Sequence, residues 1–410
     1  MRISSSQFFN LNVQTMSDQQ SALASMYQQI SSGNRLLTAS DDPLGAAQAV
    51  QLTMKSSTIT QFGSNQTTAL SSLQQEDATL DDVKGLMQSI QTQIVHARDG
   101  SLSDSDRAAI ANQIQGYRDQ LMTLANTTDG SGNYIFSGFK GGSAPYTNDP
   151  SGVGANYAGD LGQRQVQISE GRSINVGDTG PTIFQSVSPT ESDPVAAAGA
   201  ANQGSGTIGP VSVSDASDPR NATKYTISFA VSATDGTTSY TITPTDDGLP
   251  PTPVPYTGKT DVTIGGQKVT LDGAPADGDS FTVQPANTAN TDIFATLDNL
   301  VSALKQSTDT PAQKAALTNS LNTASTKVDN TYNNVLSVQA TVGGREQEVT
   351  ATRSSMQTTV TQTASDLANL TSIDLVSAIS QYELTQNALQ GAQMAFAQIQ
   401  KMSLFDYLSG

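Results

Sequence analysis

His96 is the one histidine of this 410-residue chain, and no cysteine accompanies it. A zinc site needs three or four side-chain ligands and a nucleophilic triad needs an imidazole oriented by a third group. With nothing to join it, His96 reads as a satisfied structural residue beside the apolar stripe of a helix. The stretch "DGAPADGDS" (272–280) spaces carboxylates two apart, faintly like a calcium loop. It lacks the full ladder of oxygen ligands and the closing glutamate, so it reads as a β-turn. "TDDG" (245–248) reads the same way. Asp41-Asp42-Pro43 sets two carboxylates side by side, but consecutive residues at a helix start point in different directions, and capping explains them better than acid–base work. The glycine clusters fit neither a P-loop nor a GxGxxG after a strand. No metal site, no cofactor and no enzyme is legible.

Composition narrows the class further. The formal net charge of −17 opposes a phosphate-tracking nucleic-acid binder, which needs a basic stripe. Charged residues make up 14% and apolar ones 36%, both low for soluble domains, and Ser, Thr, Gln, Asn, Ala and Gly fill the gap. The absence of cysteine removes disulfides and thiolate chemistry. No run is long and apolar enough for membrane insertion. "MRISSSQFFNLNVQT" has no apolar h-region, so a soluble chain is expected, or one exported without a cleavable signal peptide.

Periodicity predicts helical ends around a β-rich middle. Val13, Met16, Gln20, Leu23, Tyr27 and Ile30 alternate spacings of three and four, a heptad seam with one polar position. Gly33 and Asn34 are stop residues, Asp42 is an N-cap and Pro43 a first helical position. A long helix is expected over roughly 66–99, with Leu73, Leu80, Val83, Met87, Ile90 and Ile94 in its stripe. Ser103 and Asp106 resemble a capping box for the next helix. From 134 to 290 the period falls to two. Hairpins are expected at Glu170-Gly171, Asp235-Gly236 and Gly265-Gly266, the second as a tight turn, and 185–222 reads as loop or linker. Helices resume near 291, restart after Thr310-Pro311, break at Gly343-Gly344 and again at "LTSIDL", and close on Tyr382, Leu389, Ala392, Phe396 and Ile399. The expected fold is mainly α with a β-rich insert: an antiparallel long-helix bundle of N- and C-terminal segments with an outer β domain inserted at the tip.

The ends are almost uncharged. From residue 3 to 34 the only charged side chain is Asp18, and from 376 to 403 there are only Glu383 and Lys401. A solvated helix carries charges on its exposed face, so these helices are expected to be covered nearly all round. A pair of such tails lacks the apolar area to offset the ordering of both chains. They are therefore expected to fold only between subunits, as a terminal coiled-coil assembly domain.

"ISSGNRLLTASDDPLGAA" (30–47) is similar to the N-terminal signature of the flagellin superfamily. "GNYIFSG" (132–138), "YAGDLGQRQVQISEG" (157–171) and "AISQYELTQNALQGAQMAFAQIQKMSLFDYL" (378–408) resemble its hook–filament junction branch rather than its filament-forming branch. The resemblance covers about 1–180 and 260–410. It implies a structural role and export through the flagellar type III apparatus to an extracellular place in the flagellum. Its implied partners are copies of itself in a ring-like layer, another hook-associated junction protein, flagellin and an export chaperone. The implied divisions are 1–40 plus 374–410 for assembly, 41–140 plus 291–373 as a helical rod, and 141–290 as the β-rich outer domain. The assembly interface is expected at Val13, Met16, Leu23, Tyr27, Ile30, Tyr382, Leu389, Ala392, Phe396, Ile399, Leu404 and Phe405. The interdomain joint is expected at Gly33, Arg35, Asp41, Asp42 and Pro43. Filament flagellin, and an adhesin presenting a β domain on a helical stalk, are the competing readings.

Overall fold

The computed structural model describes residues 5–188, 192–244, 248 and 250–408, with the side chains of Ser5, Ser6, Phe8 and 399–408 outside the described set. Among the described residues seven α-helices bracket and interrupt a β-rich centre: α1 (Ser5–Ser32), α2 (Pro43–Ala97), α3 (Asp104–Ala125), α4 (Gly180–Phe184), α5 (Ile293–Leu304), α6 (Pro311–Thr371) and α7 (Leu375–Leu408). Two compact units emerge, Met1–Ser64 with Thr352–Gly410, and Asn65–Ala351.

The larger unit holds the main core. The heptad residues Leu73, Leu80, Val83, Met87, Ile90 and Ile94 of α2 are buried. They belong to one cluster with Ile110, Ile114 and Leu121 of α3, Leu297, Leu300 and Leu304 of α5, and Val328, Val335 and Val342 of α6. Each set recurs at helical spacing, so one stripe per helix turns inward. The ends of these helices follow from local chemistry. Ser103 and Asp106 form the reciprocal capping box at the start of α3. Thr310 and Gln313 exchange hydrogen bonds of 3.0 and 3.2 Å at the start of α6.

The β-rich region has its own core of Ile227, Phe229, Tyr240, Val262, Leu271 and Phe281. A five-stranded antiparallel sheet runs in the order Val254–Tyr256, Thr238–Thr243, Tyr225–Val231, Ser280–Gln284, Val195–Ala198. A second sheet pairs Lys259–Ile264 with Gln267–Asp272, and the latter with Thr207–Ile208 and Ser212–Val213. Hairpins at Tyr146–Asn148/Ala155–Tyr157 and Gln165–Ser169/Arg172–Asn175 stand outside them.

Several expectations need correction. The 66–99 helix is part of one unbroken α2 that begins at Pro43. Gly343-Gly344 does not interrupt α6. A glycine costs a helix about 1 kcal/mol, and here Val335, Val342 and Val349 stay buried on one heptad line through the pair, so packing overrides propensity. Asp235-Gly236 is not a tight two-residue turn. The strands part at Val231 and Thr238, and Ser232 N–H donates to Thr237 C=O at 2.9 Å across a longer loop. The hairpins expected at Gly265-Gly266 and Glu170-Gly171 do form, each a two-residue connection, between Ile264 and Gln267 and between Ser169 and Arg172.

The supposed linker 185–222 contains three strands. Its backbone is held by polar side chains of α6. Asn330 clasps Asp193 N–H and C=O at 2.7 and 2.8 Å, Asn319 does the same for Ile208 N–H and Gly206 C=O at 2.9 and 3.0 Å, and Thr323 donates to Ala196 C=O. Partners more than a hundred residues away leave no local signal. His96 is exposed near the end of α2, beside the buried Ile94 and Ala97 of its stripe.

Candidate assembly joint and helix faces

In the terminal unit α1 pairs with α7. Met16, Leu23 and Ile30 are half-buried, as are Tyr382, Leu389, Ala392 and Phe396 on α7. Phe9 and Phe396 hold the pair at one point, their ring centroids 5.2 Å apart. Val13 and Tyr27 do not join this seam. Asn12, Gln19 and Met26 are half-buried, while Val13 and Tyr27 are exposed. Among the described side chains of α1 and α7, none is fully buried. Leu11 on α1 and Val376, Leu384 and Met394 on α7 present apolar surface outward, each 65–79% exposed. Scattered apolar residues are ordinary, but a helix pair with no buried side chain is not. The side chains of Ile399, Leu404 and Phe405 lie outside the described residues.

The joint residues meet the second chain break. Gly33 takes φ +71°, the left-handed conformation that ends α1. Its carbonyl accepts from Ile373 N–H at 3.1 Å, and Arg35 N–H donates to Thr371 C=O at 2.8 Å, on either side of an antiparallel Asn34–Ser372 bridge. The Arg35 guanidinium adds a bond to Leu370 C=O at 3.1 Å. The two segments that leave α1 and α6 thus form a short two-stranded clasp. Asp41 closes the next turn by accepting from Leu37 and Thr38 N–H at 3.0 and 2.8 Å. The Thr38 and Leu37 amides hold its carboxyl below the usual range. Asp42 caps α2, its carboxylate accepting from Gly45 N–H at 2.9 Å, and Pro43 takes the first helical position. The Arg35–Asp42 ion pair, 3.9 Å and half exposed, adds little beside these bonds.

Sequence reading placed a break at "LTSIDL" (370–375) but assigned none of its residues to the joint. Asp374 starts α7 by accepting from Val376 and Ser377 N–H at 3.1 and 3.3 Å. An aspartate directly before the apolar run Leu375-Val376 was the available signal. Nothing local could show that Asn34 faces Ser372, because two irregular segments carry no pairing pattern.

The candidate ligand loops also resolve. Asp279 of 272–280 is buried, and its two carboxylate oxygens accept from Gln203, Gly204 and Ala276 N–H at 2.8–3.0 Å, which makes it a turn closer. Of 245–248, residues 245–247 lie outside the described set. No described helix is long and apolar enough to cross a membrane.

These features have counterparts in known proteins. The family model described as the bacterial flagellin N-terminal helical region matches residues 3–140, and that of the C-terminal helical region matches 325–408. Flagellar hook-associated protein 3 of Escherichia coli is 37% identical over 187 residues, 46% of this chain and 58% of its own length. The chain thus spans just over half the length of the curated relatives it matches. The crystal structure of Xanthomonas campestris FlgL superimposes with a TM-score of 0.66 at 27% identity, covering 76% of this chain and 97% of that one. Flagellar hook-associated protein-3 from Legionella pneumophila gives 0.69 at 25% identity, over 78% and 98%. Helical ends with the flagellin signatures, enclosing a β-rich centre, place the chain in the bacterial flagellin family.

Proposed function

We propose that this chain is a structural subunit of the bacterial flagellum, forming a layer between another hook-associated junction protein and the flagellin filament. One observation carries the mechanism: α1 and α7 pair, yet none of their described side chains is fully buried. Apolar surface left outward on both helices supports burial against neighbouring copies, so the terminal helices gain their rigidity on assembly. The clasp at 33–35 and 370–374 fixes where this assembly segment hands over to α2 and α6. The division into 1–40 with 374–410, 41–140 with 291–373, and 141–290 belongs to this proposal, as do the ring-like layer, the export chaperone and extracellular delivery without a cleaved signal. The role is mechanical rather than catalytic, in keeping with the structural flagellar proteins that resemble the chain.

Cells lacking the protein test the reading. They should leak flagellin monomer into the medium and lack filaments, with filaments restored by the full chain and not by one lacking 376–410. Normal filaments in the deletion strain overturn it. Polymerisation of the pure protein into long filaments instead makes it a filament flagellin.

A further inference from the structure

A cleft of about 590 Å³ lies between residues 197–206 at the edge of the five-stranded sheet and the facing sides of α5 and α6. Its volume falls in the range of small-molecule sites. The walls are fixed. Asn202 donates to Ser280 C=O at 2.9 Å, and Asn319 and Thr323 are committed to the backbone of the edge segment. Four polar side chains line this frame, the half-buried Lys327 and Ser320 and the exposed Asn299 and Gln306, and none of them makes a hydrogen bond among the described residues.

Lys327 is the informative one. Its ammonium is largely withdrawn from water, and burial holds it below the usual lysine range. The acid whose charge reaches it is Asp292, already engaged in capping α5 through Phe294 N–H at 2.8 Å and in accepting from Ala155 N–H at 3.3 Å. No acidic side chain lines the cleft among the described residues. A sheltered cation whose charge partner, Asp292, is already engaged in capping, beside amide and hydroxyl groups, is what an anionic ligand would complete.

We propose that this cleft binds a small hydroxylated carboxylate, the chemistry of a sugar acid, with Lys327 as its counter-ion. One amine matches one negative charge; a phosphate dianion calls for more cations than the cleft holds. Asn299, Ser320 and Gln306 supply donors and acceptors for ring hydroxyls. Among the described residues no aromatic ring lines the cleft for an aromatic ligand to stack on. The proposal is independent of the flagellar role, since every lining residue belongs to the 65–351 unit.

Titration calorimetry of the full chain with D-glucuronate at low salt tests it, with D-glucose, acetate and inorganic phosphate as comparisons. Saturable binding of glucuronate is expected, weaker on the order of tenfold for glucose and for acetate. Lys327→Gln should weaken it by a similar factor, Lys327→Arg should retain it, and Asn299→Ala should weaken it without removing it. An oligogalacturonide arm separates a free solute from a polysaccharide end: tighter binding of the oligomer marks the latter. No saturable binding of glucuronate, binding indifferent to Lys327→Gln, or phosphate bound more tightly than glucuronate overturns the proposal. Should Lys327→Gln fail to fold, the Lys327→Arg and Asn299→Ala variants decide by the same criteria.

Discussion

Replacing Glu76 by Gln should stabilise the protein above pH 7 and change little below pH 5. Glu76 projects from α2 into the larger unit and is only 2% exposed. One carboxylate oxygen accepts from Asp178 N–H at 2.9 Å, and the other has no hydrogen-bond partner among the described residues. Burial, then the Asp178 charge, push the carboxyl from 4.5 up to about 7; the Asp178 amide, Arg345 and Arg164 only partly oppose this. Arg345 is largely committed to Asp178 through bonds of 2.8 and 3.1 Å. Because the folded value lies above the unfolded one, the native state binds the extra proton. Its stabilising effect is whole below about pH 4.5 and is lost as pH rises through 7. A shift of that size is worth on the order of 3 kcal/mol between the two limits. The side chain of Glu76→Gln would keep an acceptor for the Asp178 amide and carry no charge. Urea unfolding at pH 5, 6, 7 and 8, followed by far-ultraviolet circular dichroism, should show the two proteins converging at pH 5 and the variant ahead at pH 8. Parallel pH dependences would refute the reasoning, because they would mean that Glu76 folds without its proton or reaches water.

Three other perturbations probe different parts of the structure. Arg118→Met strands Asp298, which Arg118 contacts at 3.1 and 3.2 Å in a buried pair, and should cost about 3–5 kcal/mol in unfolding experiments; adding Asp298→Leu should recover much of it. Gly33→Ala has open space but must adopt φ +71°, so it should weaken the clasp by about 1 kcal/mol, read as faster amide exchange at Arg35 and Ile373. Val13→Gln with Tyr27→Gln alters side chains outside the α1–α7 seam, 42% and 64% exposed, so thermal unfolding of the free chain should change little while filament assembly in cells fails.

Much of the helical architecture was legible because it repeats. The stripes of α2, α3 and α5 could be read residue by residue, and so could the capping pair Ser103/Asp106 and the Thr310-Pro311 start of α6. Legibility failed where a distant partner supplies what the local sequence lacks. The strands within 185–222 are only two to four residues long. Thr323 and Asn319 of α6 satisfy backbone groups of the first two, and Asn330 holds Asp193 just before them. Gly343 and Gly344 misled for the opposite reason: they carry a local stop signal, but buried valines on both sides hold the helix through it. The joint was half readable. Gly33, Asp41, Asp42 and Pro43 announce themselves by type, whereas the contacts of Arg35 with Leu370 and Thr371 depend on a pairing across more than three hundred residues.

The rotation of α1 against α7 gives the terminal helices their meaning. The heptad reading places Val13, Gln20 and Tyr27 on one line and Met16, Leu23 and Ile30 on the next, and a dimeric coiled coil would bury both. In the single chain α7 covers the second line together with Asn12, Gln19 and Met26, leaving the first exposed. The helix has therefore turned a partly polar line inward and kept two large apolar side chains out. One neighbour cannot cover three lines on a cylinder, and the outward residues of α7, Leu384 and Met394 among them, pose the same problem from the other side. Few charges are available to solvate either outward face, because Asp18, Glu383 and Lys401 are all that these stretches carry. The apolar excess over what one partner can bury is the physical reason for expecting further copies around each pair.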